Sequence, residues 1–209
     1  ERLTVVILAK WRSALVYVPA GGPKRCTSLV PRVPHGAVEP AMGFRILENT
    51  AGAVAVVGAF SGSATATFRL VVGQPYVEVR PGAGMVALGV YAVPRLIVAP
   101  DFFGDDMVFT PDGRELGLFR LPAENFVLGL GGMGDRMTMC VWQDRRAVAR
   151  ADVMGIIGVG PVFDGWLIGC FEGKSIWVAF LEGQGLWHER LVPAEEAGKA
   201  LDWKPPLAA

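Results

Sequence analysis

Apolar and polar residues alternate with a period of two along most of this chain, and glycine or proline repeatedly interrupts the alternation. An extended strand sends successive side chains to opposite faces, so this pattern describes half-buried β-strands and argues against a helical bundle. Runs at 2–9, 14–19, 44–49, 53–60, 66–72, 76–81, 85–93 and 95–100 read as strands. So do 106–110, 115–121, 125–130, 136–143, 146–153, 165–171 and 175–181. They are rich in Val, Leu, Phe and Trp, which suit a pleated, half-buried surface. Hairpin chemistry marks Gly73-Gln74-Pro75, residues 80–85, Pro111-Asp112-Gly113 and Glu172-Gly173-Lys174. The expected fold is therefore all-β: one antiparallel β-sandwich of about 15 strands spanning residues 1–209, supersandwich-like in size. Only "PAEEAGKAL" (193–201) looks helical, with proline first and acids in the opening turn. Residues 20–43 carry four prolines without clean alternation, and read as a long loop with room for one short strand.

Composition narrows the function classes. Hydrophobic residues make up 52% of the chain and charged residues 19%, with a mean hydropathy of +0.38. That is ample for a large core and leaves apolar surface over, which favours an oligomer or a larger parent protein. Basic and acidic residues balance at 20 each, so no overall field draws nucleic acid or an anionic membrane. The longest apolar runs, "AGAVAVVGAF" and "MVALGVYAVP", are too short for a spanning helix. No signal-peptide pattern opens the chain at Glu1, and "WKPPLAA" closes it without a stop signal; the natural polypeptide is expected to be longer. Cys26, Cys140 and Cys170 show no CxxC spacing; the last two sit in strand-like contexts and read as buried structural thiols.

The stretch "APDFFGDDMVFTPDG" (99–113) is the densest in carboxylates. A strand-to-strand corner explains it: Asp112 belongs to the Pro-Asp-Gly turn, and Phe102 and Phe103 enter the core. A glycan-facing or catalytic carboxylate, or calcium at Asp101, Asp105 and Asp106, are the alternatives; calcium wants several converging oxygens, though the spacing is not that of an EF-hand. "GLGGMGD" (129–135) imitates a phosphate loop but lacks the Lys-Ser/Thr and lies between strands, so it reads as a hairpin turn. No nucleophile motif is present.

Sugar contact needs donors, acceptors and aromatic faces. Glu124 and Asn125 stand side by side before an apolar strand, and Trp187 is followed by His188. Trp142, Trp166 and Trp177 lie within strands, where core packing is the favoured role. A polysaccharide lyase would need a His or Tyr base with a cation or amide to neutralise a uronate; His35, His188, Tyr76, Tyr91, Arg80 and Arg95 are the inventory.

The run "ATFRLVVGQPYVEVRPGAGMVALGVYA" (66–92), followed by "RLIVAPDFFGDDMVFTP", resembles the antiparallel strands of galactose-mutarotase-like β-sandwiches. Carbohydrate-active enzymes, polysaccharide lyases among them, carry such domains. The resemblance covers about a third of the chain and brings no catalytic motif with it. It implies a sandwich module associated with glycan processing. The expected ligand-contact residues are Trp187, His188, Glu124, Asn125, Arg80 and Tyr76; the partner is a polysaccharide, and the setting extracytoplasmic. The competing expectation is a structural or interaction subunit of a larger assembly. Tryptophan beside Arg and Glu on a sheet face would favour a glycan, and a flat apolar patch a protein.

Overall fold

The computed structural model describes residues 3–7, 14–18, 25–34, 36–37, 42–60, 63–100, 106–110, 117–121, 125–156 and 160–188. Among these the chain forms 17 strands. The first six are β1 (Thr4–Ile7), β2 (Ala14–Val18), β3 (Arg25–Val33), β4 (Gly36–Ala37), β5 (Gly43–Asn49) and β6 (Ala53–Ala59). Then come β7 (Thr65–Val71), β8 (Tyr76–Pro81), β9 (Ala87–Tyr91), β10 (Leu96–Ala99), β11 (Met107–Phe109) and β12 (Gly117–Arg120). The last are β13 (Phe126–Gly131), β14 (Arg136–Trp142), β15 (Ala149–Ile156), β16 (Gly160–Gly169) and β17 (Ile176–Glu182).

They build two antiparallel sheets. One has eight strands in the order β1-β2-β3-β9-β16-β15-β12, with β4 beside β3; the other has nine, in the order β11-β10-β13-β14-β17-β8-β7-β6-β5. Strand parity decides what lies between them. In β13 the burial alternates strictly, with Val127, Gly129 and Gly131 turned inward. Val77 and Val79 of β8 and Val178 of β17 do the same from the nine-stranded sheet. Leu29, Leu88, Val90 and Ile168 answer from the eight-stranded sheet, and the two inner faces merge in one apolar cluster. This is the all-β sandwich that the alternation predicts.

Trp166 of β16 fixes the contact between the layers. It is fully buried, and its Nε1 donates to Cys140 Sγ at 3.3 Å, across to β14 of the other sheet. Its six-membered ring fills the place a side chain would take at position 129: a Cβ on Gly129 would lie 2.5 Å from two of its carbons. Cys140 is sealed by the same contact. Burial pushes its thiol up to about 12, and the indole N–H offsets that only in part. Trp142 is buried as expected, and Cys170 is half-buried beside the Met85 carbonyl.

Three expectations are corrected. Residues 20–43 are not simply a loop, because 25–33 form β3, flanked by β2 and β9. Pro31 concealed it. The Arg32 carbonyl faces β9, where it accepts from Val86 N, so alternation turns the Pro31 nitrogen to the opposite edge. There pairing with β2 ends at Leu29 and pairing with β4 starts at Arg32, so no ladder bond is lost. The turns at 80–85 and 172–174 are not hairpins either. Each carries the chain from one sheet to the other, from β8 to β9 and from β16 to β17. The turns at 73–75 and 132–135 do close hairpins, with Gly73, Gly132 and Gly134 at positive φ. Third, Trp177 is outside the core, as described below. The segment read as a helix, 193–201, lies outside the described residues.

The β5–β6 ladder shifts register between Ile46 and Glu48, leaving Leu47 as an extra residue on the last strand of its sheet. A similar shift between Asp152 and Val153 marks β15–β16.

Gly129→Ala forces the added methyl against the Trp166 ring, and overpacking of this kind costs about 1–3 kcal/mol. Urea unfolding should show that loss, and combining it with Trp166→Leu should cost less than the two changes summed. Cys140 should resist a thiol-specific reagent in the native protein and react at the rate of global unfolding.

Candidate functional site

The same parity that fills the core sets the outer face of the nine-stranded sheet. In β8 ("YVEVRP"), inward Val77 and Val79 leave Tyr76, Glu78 and Arg80 facing out. In β17 ("IWVAFLE"), inward Ile176, Val178 and Phe180 leave Trp177 and Ala179 facing out. The register places Trp177 opposite Glu78, and Ala179 opposite Tyr76. On the other side Val141 and then Phe126 continue the Trp177 row. Strands lie about 4.8 Å apart, so Phe126 and Trp177 are separated by roughly 10 Å across one intervening strand. Trp177 and Tyr76, one strand and two residues apart, are separated by roughly 8 Å. All three rings are partly exposed.

A polar network borders the aromatic side chains. Glu78 Oε1 accepts from Ser175 Oγ at 2.6 Å and from Arg80 Nη2 at 3.0 Å. Its second oxygen is 4.0 Å from Arg69 Nη1, and Arg69 Nε donates to Glu48 Oε2 at 2.9 Å. The Glu78 side chain is only 12% exposed, whereas Arg80 is 57% exposed. The carboxylate is thus a fixed acceptor and the guanidinium its accessible partner. The fixed acceptor and the accessible donor stand side by side on the outer face. Ser175 and Arg80 share one carboxylate oxygen, which fixes the orientation of the Glu78 side chain.

The residues expected from sequence do not all converge. Tyr76 and Arg80 share this face. Asn125 borders it beside Phe126, with its carbonyl accepting from Trp142 N at 3.0 Å. Trp187 and His188 are elsewhere. Trp187 Nε1 forks between the Gly131 and Arg136 carbonyls at 3.1 and 3.0 Å, at the far end of β13, roughly 20 Å from Asn125 along the strand. Its backbone N–H donates to the Gly134 carbonyl at 3.3 Å, and the Arg95 guanidinium lies 6.0 Å from its ring centre. Trp187 therefore fastens the chain after β17 onto the β13–β14 turn, while His188 is exposed beside it. Glu124, His35, Asp101 and Asp105 lie outside the described residues; Asp106 is exposed just before β11. Among the described residues, no group of three or more His, Cys, Asp or Glu side chains could hold a metal ion.

Sequence reading missed Glu78, Arg69, Ser175 and Trp177 as site residues. The first two follow from the clear alternation of β7 and β8. Trp177 does not, because "SIWVAFL" is apolar on both faces and its parity is hidden until the register is known. No protein-family model matches the chain, and no curated protein is significantly similar to it.

Trp187→Phe keeps the ring and removes the forked N–H. Leaving two carbonyls short of a donor should cost about 1–3 kcal/mol, read as a lowered Tm.

Proposed function

We propose that this chain is the β-sandwich module of a carbohydrate-active protein, and that it contacts a polysaccharide through the outer face of its nine-stranded sheet. One observation carries the reading: Trp177 stands directly across from Glu78, with Arg80 and Tyr76 beside it. Aromatic faces stack on the apolar faces of sugar rings, and a fixed carboxylate with a guanidinium supplies acceptor and donor to the hydroxyls. Aromatic side chains spread over three strands suit a ligand longer than a single ring. A polysaccharide partner also implies an extracytoplasmic place of action.

A second reading, a structural or interaction subunit, is favoured by the rest of the same face. Beyond Trp177 it continues through Val141, Leu128 and Met139 with no charge among them, as a protein-binding patch would. Affinity electrophoresis in gels containing neutral or uronic polysaccharides separates the two. The wild-type chain should be retarded by at least one polymer, and Trp177→Ala should weaken that retention about tenfold, the loss of roughly 1.4 kcal/mol of stacking and burial. An unretarded wild-type chain in every gel would remove the glycan reading and leave the interaction subunit.

A further inference from the structure

The outer face of the eight-stranded sheet carries a second polar constellation. Arg32 of β3, Tyr91 of β9, Asp164 of β16 and Asp152 of β15 come from four strands that are consecutive in the sheet. Inward Leu88, Val90, Trp166 and Ala151 fix the parity that turns Tyr91, Gly165 and Asp152 outward. The Tyr91 hydroxyl accepts from Arg32 Nη2 and donates to Asp152 Oδ2 at 3.3 Å. The Arg32 guanidinium also lies 5.5 Å from the Tyr91 ring centre.

Two glycines and a bulge make this arrangement possible. The Tyr91 ring lies back over Gly89, where a Cβ would stand 2.6 Å from its Cε2. At Gly165 a Cβ would collide with the Val90 carbonyl, so only glycine lets β16 approach β9 this closely. Asp152 pairs with Gly165 and Val153 with Phe163, which leaves Asp164 as the extra residue of a β-bulge. The bulge brings Asp164 within electrostatic range of Asp152, and its backbone carbonyl is held by Val93 N at 3.1 Å. Burial, and then the charge of Asp152, pushes the Asp164 carboxyl up from its ordinary value. Burial likewise raises the Tyr91 phenol, which therefore keeps its proton and is a poor base.

We infer that Arg32, Tyr91, Asp152 and Asp164 form a binding site for a neutral polyhydroxylated ligand, a sugar ring being the fitting class. The cluster mixes one guanidinium, one phenol and two carboxyls, so it offers donors and acceptors together with little net charge. A cation would meet Arg32, and an anion or uronate would meet Asp152 and Asp164. Uncharged vicinal hydroxyls satisfy both kinds of group without opposing either. The two outer faces of a sandwich point in opposite directions, so a module with a sugar site on each would hold two polysaccharide chains at once. That bridging rests on the reading proposed above, whereas the site itself does not.

Saturation-transfer NMR tests it with cello-, xylo- and manno-oligosaccharides and with oligogalacturonate, on the wild-type chain, Trp177→Ala, Asp152→Asn and the double variant. Tyr91→Phe, which keeps the ring over Gly89, is the second probe of the cluster. Transfer to a neutral oligosaccharide should persist in each single variant and vanish in the double one. Its complete loss in Trp177→Ala alone would overturn this site and leave the first reading. Its complete loss in Asp152→Asn alone, with Trp177→Ala unaffected, would overturn the first reading and leave this one. No transfer in the wild type overturns both. A Trp177→Ala chain that prefers oligogalacturonate overturns the neutral class. Undiminished transfer in the double variant, with a lowered Tm in Tyr91→Phe and Asp152→Asn, would make the cluster structural only, and overturn the site.

Discussion

The contact of Trp166 with Gly129 and Cys140 is the constraint from which the rest of the molecule follows. A side chain of that size can span the gap between the sheets only if the opposing strand offers an empty position, and Gly129 is that position. Once Trp166 points inward, Gly165 must point outward, and Asp152 opposite Gly165 follows it. Once Cys140 points inward, Met139 and Val141 must point outward, and Trp177 opposite Val141 follows them. A slip of one residue in either strand would exchange the core for the surface. The interlayer packing therefore also writes the chemistry of both outer faces.

Those faces differ in character. The nine-stranded sheet presents rings and aliphatic chains, with Glu78, Arg80, Arg69, Glu48 and Arg45 together on its β8-to-β5 side. The eight-stranded sheet presents a compact hydrogen-bonding group built around a bulge. Stacking surface tolerates many sugar rings, because every pyranose has an apolar side; a hydrogen-bonding cluster discriminates among them by where the hydroxyls lie. In both places the polar atoms bond first to one another. At Glu78 and at Tyr91 that preorganises them.

Much of the fold was legible in the sequence, and the reasons it failed elsewhere are specific. β7, β8 and β13 alternate cleanly, and their observed bounds, like those of the all-apolar β6, fall within a residue of those expected. β3 was hidden because Pro31 argues against a strand interior, and only the position of its neighbours makes it harmless there. The sheet-changing turns resemble hairpins because local turn chemistry does not specify which strand the chain joins next. The site was less legible. Tyr76 and Arg80 share one strand parity and were found together, whereas Trp177 sits in a run that is apolar on both sides. Trp187, between Gly185 and His188, looked free to bind a ligand, yet both acceptors of its N–H belong to a turn more than fifty residues earlier. Asp164 reaches Asp152 only through a register shift, which no period-two reading contains.

The extra residue at Leu47 has a consequence for the molecule as one among many copies. β5 closes the order of its sheet, and Ile46 and Leu47 are 63% and 49% exposed. A straight, apolar last strand is a template on which another chain can continue the ladder, and repetition of that step is how fibrils grow. The bulge twists β5 and breaks the even spacing of the N–H and C=O groups on its outer side, so an incoming strand could match only a few residues on either side. In a chain this apolar, the extra leucine works against edge-to-edge pairing along β5.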